Sequence, residues 1–369
     1  MPRPTFFKFD GPSGEIIAVF GQVAADQWLP AFKLSASGFR EPLPSVEDYL
    51  EREEYLASLQ FTKDFRMKTW CVYNIDDPSQ VFAMCKAMPR DLLIGDEHGF
   101  RREGGYCLTS VVTDEQYRNK GLGRFLLEQV SAWMDGQGQG AVTFLYTSSP
   151  SFFASKGWHA QPTPQAAILP FPSTSFYEKA GLPATRILRG ADIPELCNRD
   201  VDRFIKAVEQ QTVPNDTTLV TVVPAADMIV WMHARCEFIS YKLRNEAPDF
   251  NGAIHEETDT WLYWAHDFTG DQLAVQRISR PQEGDVPVEV IASLLLDARN
   301  EAATWGLSRV SIWSPPHDVA AAGQLLSSKI SDRFVYEKQR TDAIPMARLG
   351  MGDTSKGIYF GYNEYYAWN

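Results

Sequence analysis

Residues Arg118 to Gly123 read R-x-x-G-x-G and lie between a strand-like run, Tyr106 to Val112, and a helix-like run, Leu122 to Met134. That setting constrains the fold more than any other feature. A glycine turn that opens into a helix leaves several backbone N–H groups without intrahelical partners, pointing at whatever docks there. The segment therefore predicts an anion seat, and a pyrophosphate fits it best. Leu122, Leu126, Val130 and Trp133 recur at helical spacing on one face, while Thr109, Val111 and Val112 favour a pleated, buried strand. Gly121 and Gly123 let the backbone approach phosphate oxygens closely, and Arg118 and Lys120 bring positive charge. In isolation such a hexapeptide is more often an ordinary strand-to-helix turn with solvated basic side chains. The strand before it and the amphipathic helix after it favour the anion site.

On these residues the sequence resembles the GNAT superfamily of acyl-CoA-dependent N-acetyltransferases, whose pyrophosphate signature is Q/R-x-x-G-x-G/A. The likeness extends to one branch, the fungal lysine N6-acetyltransferases associated with lysine catabolism. Tyr49-Leu50-Glu51-Arg52-Glu53-Glu54-Tyr55-Leu56 and Met67-Lys68-Thr69-Trp70 are similar to that branch's N-terminal block. Leu145-Tyr146-Thr147-Ser148 and Phe152-Phe153-Ala154-Ser155-Lys156-Gly157-Trp158 resemble its L-Y-S-D and F-Y-x-x-x-G-W segments. Trp231-Met232-His233-Ala234-Arg235-Cys236-Glu237-Phe238, Lys242-Leu243 and Gly252-Ala253-Ile254 resemble its C-terminal domain. The tail does too, with Ile344-Pro345-Met346 and Asn363-Glu364-Tyr365-Tyr366-Ala367-Trp368. Two departures stand out: Phe153 occupies the place where GNAT enzymes often carry a general-acid tyrosine, and Tyr365 replaces a lysine of the branch.

The resemblance implies an α/β (α+β) GNAT fold, a mixed central sheet flanked by helices. It also implies roles for residues. The strand ending at Val111, Val112 and Thr113 would pair with the pantetheine arm and polarise the thioester carbonyl. Arg118, Asn119, Lys120, Gly121, Leu122, Gly123 and Arg124 would hold the pyrophosphate, and Phe153 would lie beside the cofactor. Acetyl-CoA enters as cosubstrate, and this chemistry requires no metal.

Composition bounds the rest. A chain of 369 residues is too long for one typical core and suits two domains of roughly 150 to 200 residues. We expect an acetyl-CoA-binding domain over 1–175 and a C-terminal domain over 176–369. A formal charge of −12 with a pI near 5.1 argues against a nucleic-acid partner, which would need clustered positive charge, and favours a small cationic amine. No apolar leader or run long enough to span a bilayer occurs, so a soluble, cytoplasmic protein is expected. Cys71, Cys85, Cys107, Cys197 and Cys236 are an odd number at wide spacing, which predicts reduced core residues rather than disulfides or a zinc site.

Along the chain, Ser45 and Asp48 give an S-x-x-D capping signal for a helix to about Leu59, with Glu47, Asp48, Glu51, Glu53 and Glu54 expected on its solvated faces. Trp70 to Tyr73 and Val81 to Cys85 read as strands, Asp135 to Gly140 as a helix terminator, and Ala141 to Tyr146 as a buried strand. From His159 to Pro183 the chain carries Pro162, Pro164, Pro170, Pro172 and Pro183 without a clear period, which suggests a linker. Asp227 is placed to cap a helix through Leu243. Trp261 to Ala265, Leu273 to Ser279, Pro287 to Trp305 and Arg309 to Ser314 then repeat the strand, strand, helix, strand order of the first half. A second, degenerate GNAT-like domain follows, without its own R-x-x-G-x-G, shaping the acceptor site.

The chemistry sets requirements. A lysine amine with pKa about 10.4 is only about one part in two thousand neutral at pH 7, which costs roughly 4 to 5 kcal/mol to reverse. A carboxylate near the amine meets part of that. Protonating a thiolate leaving group of pKa about 8.5 is the smaller problem, so loss of a tyrosine hydroxyl at Phe153 is survivable. Ser148 is the first choice to replace it. For a free amino acid, Arg235 would face the carboxylate, and Glu364 or Asp342 would serve the anionic roles, including base. The alternative for these residues is surface pairing or domain docking. His233 reads as either a packed helix residue or a base. At the level of function, the alternatives are another metabolite as acceptor in a specialised biosynthetic pathway, or a fold that has lost acyl transfer for a different reaction or plain binding.

Overall fold

The structure is a computed structural model and describes residues 5–12, 14–64, 66–169, 176–179, 181–281, 286–330, 332–350 and 356–368. The first part of the chain forms strands β1 (Phe6–Gly11) and β2 (Gly14–Gln22), helices α1 (Ala25–Phe39) and α2 (Val46–Ser58), and strands β3 (Lys68–Asn74), β4 (Val81–Asp96) and β5 (Gly99–Thr113). Helix α3 (Leu122–Asp135), strand β6 (Val142–Thr147), short helix α4 (Pro150–Ala154) and strands β7 (His159–Ala160) and β8 (Gln165–Leu169) follow. Then come β9 (Arg186–Arg189), α5 (Ile193–Glu209), β10 (Thr217–Val222), α6 (Ala226–Arg244), β11 (Phe250–His255), β12 (Thr260–Asp267) and β13 (Gln272–Ser279). Helix α7 (Val288–Thr304), β14 (Val310–Trp313), α8 (His317–Lys329), β15 (Arg333–Glu337), β16 (Ile344–Leu349) and β17 (Gly357–Phe360) complete it. No helix among the described residues is long and apolar enough to cross a membrane.

The chain divides into two compact units that interleave. One holds Met1–Leu92, Arg102–Gln161 and Pro345–Ile358; the other holds Leu93–Arg101, Pro162–Ile344 and Tyr359–Asn369. A boundary at residue 175 falls outside the described residues.

In the first unit the strand order is β1-β2-β3-β4-β5-β6-β16-β7. β1 through β4 pair antiparallel, with short turns between β1 and β2 and between β3 and β4 and with α1 and α2 inserted between β2 and β3. β5 and β6 run parallel, and a parallel pair needs a crossover, here α3. Leu122, Phe125, Leu126, Leu127, Val130 and Met134 form the buried face of α3 and pack with Ala83, Cys85 and Ala87 of β4. Lys86 turns to the opposite sheet face, where it pairs with Glu53 of α2 and lies 5.2 Å from the Phe32 ring of α1. Helices thus cover both faces.

The second unit contains a seven-stranded sheet in the order β15-β8-β14-β13-β12-β11-β9. Its β11, β12 and β13 are antiparallel, and β13 pairs parallel with β14 across helix α7, Leu273 opposite Val310. The two units therefore share one topology, antiparallel strands leading into a strand-helix-strand crossover, which is the fold class expected.

Several local expectations change. Gln165–Leu169 is an inner strand between β14 and β15, so that part of the proline-rich stretch is not linker, while the passage from the first unit to the second falls at Gln161 and Pro162 inside the stretch; Pro162 and Pro164 precede the strand, and Pro170 and Pro172 lie outside the described residues. Asp227 sits within the first turn of α6, accepting the Met228 N–H at 2.9 Å, while Ala225 occupies the cap position. The cap at Ser45 is as expected, its Oγ accepting the Asp48 N–H at 3.0 Å. Glu53 leaves the solvated face assigned to it. It is 6% exposed, bonded to Arg52 at 2.7 Å and to Lys86, and Arg52 in turn lies 4.5 Å from the Tyr49 ring.

Burial by itself would raise the Glu53 carboxyl, but Lys86 and Arg52 overcome that and hold it at about 2, against 4.5 in a free chain. Because the folded value lies below the unfolded one, the stabilisation is complete above pH 4.5 and disappears as pH falls toward 2. It amounts to about 3 kcal/mol. Glu53→Gln is expected to lose about that much at pH 7 and to flatten the acid limb, in denaturant titrations repeated from pH 7 to pH 3. A variant with wild-type stability and slope would show that the pairing contributes nothing.

Candidate active site

The site begins where β5 and β6 part. Their parallel pairing runs from Gly105 opposite Val142 to Leu108 opposite Leu145 and then stops. Two residues on, Ser110 adopts a left-handed conformation with φ of 52°, which kinks β5 away from its partner. Past the kink, Val112 turns its side chain toward Gly38 of α1, where an added Cβ would stand 3.8 Å away, while Val111 packs on the α3 side. The β6 ladder thus does not reach Val111 to Thr113, and N–H and C=O groups at such an unpaired strand edge can accept an added extended chain.

The glycine loop lies beside the end of that edge, where a Cβ on Gly123 would stand 3.0 Å from Thr113 Oγ1. Asp114 takes the Gln116 N–H at 2.9 Å, setting the turn over Glu115–Tyr117 that leads into the loop. Asn119 and Gly121 are both left-handed, with φ of 63° and 87°. Gly121 caps α3 without any side-chain cap, so the N–H groups of Leu122, Gly123 and Arg124 have no intrahelical acceptor. Gly121 is favoured by its φ, and at both glycines a side chain would be tight. A Cβ on Gly121 would stand 3.0 Å from the Phe7 ring, and one on Gly123 would stand 3.0 Å from Thr113 Oγ1 and 3.8 Å from the Phe152 ring. Uncapped donors, helix dipole and close backbone approach together suit a pyrophosphate.

Positive charge surrounds the loop on exposed side chains. Arg118 donates to the Thr113 carbonyl at 3.4 Å and pairs with Glu115 at 3.6 Å, and Arg124 pairs with Glu128 at 2.6 Å. Exposed pairs of this kind contribute little, so both arginines can exchange partners for an incoming anion at small cost.

Residues 30–161 match the model of the acetyltransferase (GNAT) family, and residues 169–369 match that of the LYC1 GNAT-like C-terminal domain. The chain belongs to the GNAT family. It is an acyltransferase of two GNAT domains in tandem. The fold is shared with the GCN5-related N-acetyltransferase from Kribbella flavida, 16% identical over 90% of this chain and 71% of that one with a TM-score of 0.55. It is likewise shared with a probable N-acyltransferase from Enterococcus faecalis V583, 13% identical over 90% and 73% with a TM-score of 0.55. A tandem GNAT protein from the clavulanic acid biosynthesis pathway, 13% identical, covers 91% of this chain and 99% of its own with a TM-score of 0.50. No curated protein sequence matches the chain significantly.

Within this GNAT unit, Phe153 faces the core, 7% exposed and edge-on to Trp158 with centroids 6.2 Å apart. The ring beside the glycine loop is Phe152, with Phe7 of β1 on the other side. Neither was apparent from the sequence; the signals were the doubled aromatic at Phe152-Phe153 and the alternation Phe7-Lys8-Phe9 of a half-buried strand. Ser148 is exposed at the turn after β6, beside Thr147, whose Oγ1 accepts the Ser149 N–H at 2.9 Å.

Glu364, Asp342 and Arg235 belong to the second unit. Glu364 is not poised as a free base. It accepts from Arg277 at 2.5 Å and from the Ile278 N–H at 3.4 Å, and Arg277 is shared with buried Asp200. Burial raises the Glu364 carboxyl while Arg277 opposes the rise. Asp342 lies exposed in a turn in which its own carbonyl accepts from Arg340 at 3.2 Å. His233 is buried against Gln276 at 2.7 Å, and burial pulls it down to about 4, so it stays neutral and is a packed helix residue. Arg235 stands on α6, 5.7 Å from the centroid of the Trp368 ring.

Removing one member of a buried ion pair leaves the other uncompensated, at a cost of about 3 to 5 kcal/mol. Since Arg277 keeps Asp200, Glu364→Ala is expected to cost about 2 to 3 kcal/mol in chemical denaturation while leaving CoA affinity by calorimetry unchanged. Wild-type stability combined with loss of turnover would return Glu364 to the chemistry.

Proposed function

We propose that this GNAT enzyme transfers the acetyl group of acetyl-CoA to the side-chain amine of lysine or a related small-molecule amine, in the cytoplasm, by direct attack of the amine on the thioester. The observation that carries the cosubstrate is the parted β5–β6 pair ending at an uncapped, glycine-turned helix N-terminus. The residues fit the group. The N–H groups of Leu122, Gly123 and Arg124 bind pyrophosphate oxygens, Arg118, Asn119 and Lys120 supply further donors, and Val111 to Thr113 receive the pantetheine as an added strand. The lysine acceptor is supported by the sequence blocks shared with the lysine N6-acetyltransferase branch across both halves of the chain.

Attack of the neutral amine on the thioester carbonyl forms the C–N bond; as the tetrahedral intermediate collapses the C–S bond breaks, the nitrogen gives up a proton to water, and the expelled CoA thiolate takes one. A backbone N–H past the Ser110 kink stabilises the developing oxyanion. Phe153 has no hydroxyl and lies in the core, so an exposed hydroxyl at the end of β6, Ser148, relays a proton from water to the leaving thiolate. Because the acceptor enters charged, the rate rises with pH as its amine loses the proton.

Isothermal calorimetry with CoA and a coupled thiol-release assay with L-lysine test the reading. Gly123→Val forces a side chain against Thr113 and Phe152, so CoA affinity should drop at least tenfold with fold and melting behaviour kept. Ser148→Ala should lower kcat with little change in the KM for acetyl-CoA. Absence of CoA binding by the wild-type protein would eliminate the assignment, and binding without turnover on any small amine would eliminate the acceptor class.

A further inference from the structure

The donors of the glycine loop hold an anion only if they point together, and the loop's own residues do little to make them do so. Gly121 has no side chain, and a glycine enters left- and right-handed conformations about equally, so its φ of 87° is not fixed by its own covalent structure. A hydrophobic staple, in which an apolar side chain just before the cap packs on the fourth residue of the helix, would fix the entry angle. Here the residue before the cap is Lys120, which is exposed. The fourth residue of α3, Phe125, is nonetheless apolar and buried, and its N–H donates to the Gly121 carbonyl at 2.9 Å.

Its apolar partner comes from the first strand. Phe7 of β1 stacks on Phe125, with ring centroids 5.1 Å apart and planes inclined by 24°, and lies so close to the loop that a Cβ on Gly121 would stand 3.0 Å from its ring. β1 is held in register by β2, Phe7 opposite Ala18. Phe7 in turn stacks on Phe9 at 6.3 Å, and Phe9 meets Phe82 and Tyr117 edge-on at 5.3 and 5.9 Å. Tyr117 immediately precedes Arg118, and its hydroxyl accepts from Gln80 Nε2 at 3.0 Å. The residues on either side of the loop, Tyr117 and Phe125, are thus set in one aromatic platform, and within it Phe7 lies against the glycine turn.

We propose that Phe7 is a positioning residue for acetyl-CoA: its ring supplies the missing staple, holds Gly121 left-handed, and so keeps the N–H groups of Leu122, Gly123 and Arg124 aimed at one pyrophosphate. It touches no reacting atom. The inference rests on the acyl-CoA reading of the loop and names the side chain that makes the loop competent before the cofactor arrives. Apparent affinity falls in proportion to the fraction of molecules whose site is already formed. Without the ring, the turn samples right-handed conformations in which those donors diverge, and CoA must first select the left-handed one. Chemistry at the thioester, set by the strand edge past Ser110, is unchanged once CoA is bound.

Phe7→Ala and Phe7→Leu in the full chain, with Phe20→Ala as control, test it. Phe20 is a half-buried ring of β2 stacked on Trp70 at 5.0 Å, and Trp70 meets Trp133 near the other end of α3, so its loss loosens the same sheet face away from the loop. In calorimetry Phe7→Ala should weaken CoA about tenfold and Phe7→Leu, which keeps an apolar contact, about threefold. In steady-state assays the KM for acetyl-CoA should rise by the same factors, with kcat and the KM for the amine at wild-type values. Phe20→Ala should lower the melting temperature as Phe7→Ala does and leave CoA affinity unchanged. Wild-type CoA affinity in Phe7→Ala, equal weakening in Phe20→Ala, or a loss confined to kcat would each overturn the proposal. Should Phe7→Ala fail to fold by circular dichroism, Phe7→Leu decides, and an unchanged Kd there overturns it. No CoA binding by the wild-type protein would remove the acyl-CoA reading and this inference with it, whereas CoA binding indifferent to Phe7 would remove the inference alone.

Discussion

The active site of this enzyme depends on a pairing that ends early. Four residues of parallel ladder, Gly105 to Leu108 against Val142 to Leu145, hold β5 and β6 together, and after that the polar groups on the β6 side of β5 lose the ladder while the β4 side stays paired. Buried amides without partners are costly, so a strand is normally continued or covered. Here the left-handed Ser110 kinks the freed edge, and α3, anchored by Leu126 and Val130 in the core, delivers its uncapped N-terminus to the same place. One departure from regular sheet structure thus brings together an unpaired strand edge and an uncapped helix N-terminus, the two features on which the proposed acetyl-CoA site rests.

The second unit shows what happens when the same topology is put to another use. Helix α7 occupies the crossover position of α3, yet nearly every residue from Val290 to Ala303 is buried, including Ser293, Asp297, Arg299 and Glu301. A helix buried all round functions as core, whereas the one-sided α3 leaves its outer face and first turn to solvent. Shared topology with opposite burial is the physical content of calling the second domain degenerate.

Much of this was legible in the sequence because it is local. The glycine turn, the one-sided α3 and the Ser45 cap each rest on residues a few positions apart, and the strand-helix-strand runs from Thr260 to Trp313 carry unmistakable apolar periodicity. What escaped is set by distant partners. Glu53 reads as one more acid on a charged helix, and only Lys86, thirty-three residues on, places it indoors. Gln165–Leu169 is a short apolar segment between prolines until β14 and β15 close on it. Glu364 looks like a free carboxylate near the end of the chain, and Arg277 occupies it from eighty-seven residues away. Phe152 and Phe153 are indistinguishable in sequence, and only the packing of α4 decides which ring enters the core.

Buried arginines in the second unit show how the fold meets the cost of taking charge out of water. Arg277 is bracketed by Asp200 and Glu364, Arg280 meets Asp318 at 3.0 Å, and Arg299, fully buried beneath Tyr177, is matched by Asp332. Each pairing offsets a desolvation cost of several kcal/mol, and each carboxylate comes from a part of the chain remote in sequence. Arg340, 2% exposed, is held in another way, by the Asp342 and Ala343 carbonyls at 3.2 Å and against the Trp313 ring at 3.6 Å, so the second unit satisfies buried guanidinium groups with carbonyl oxygens and an indole as well as with carboxylates.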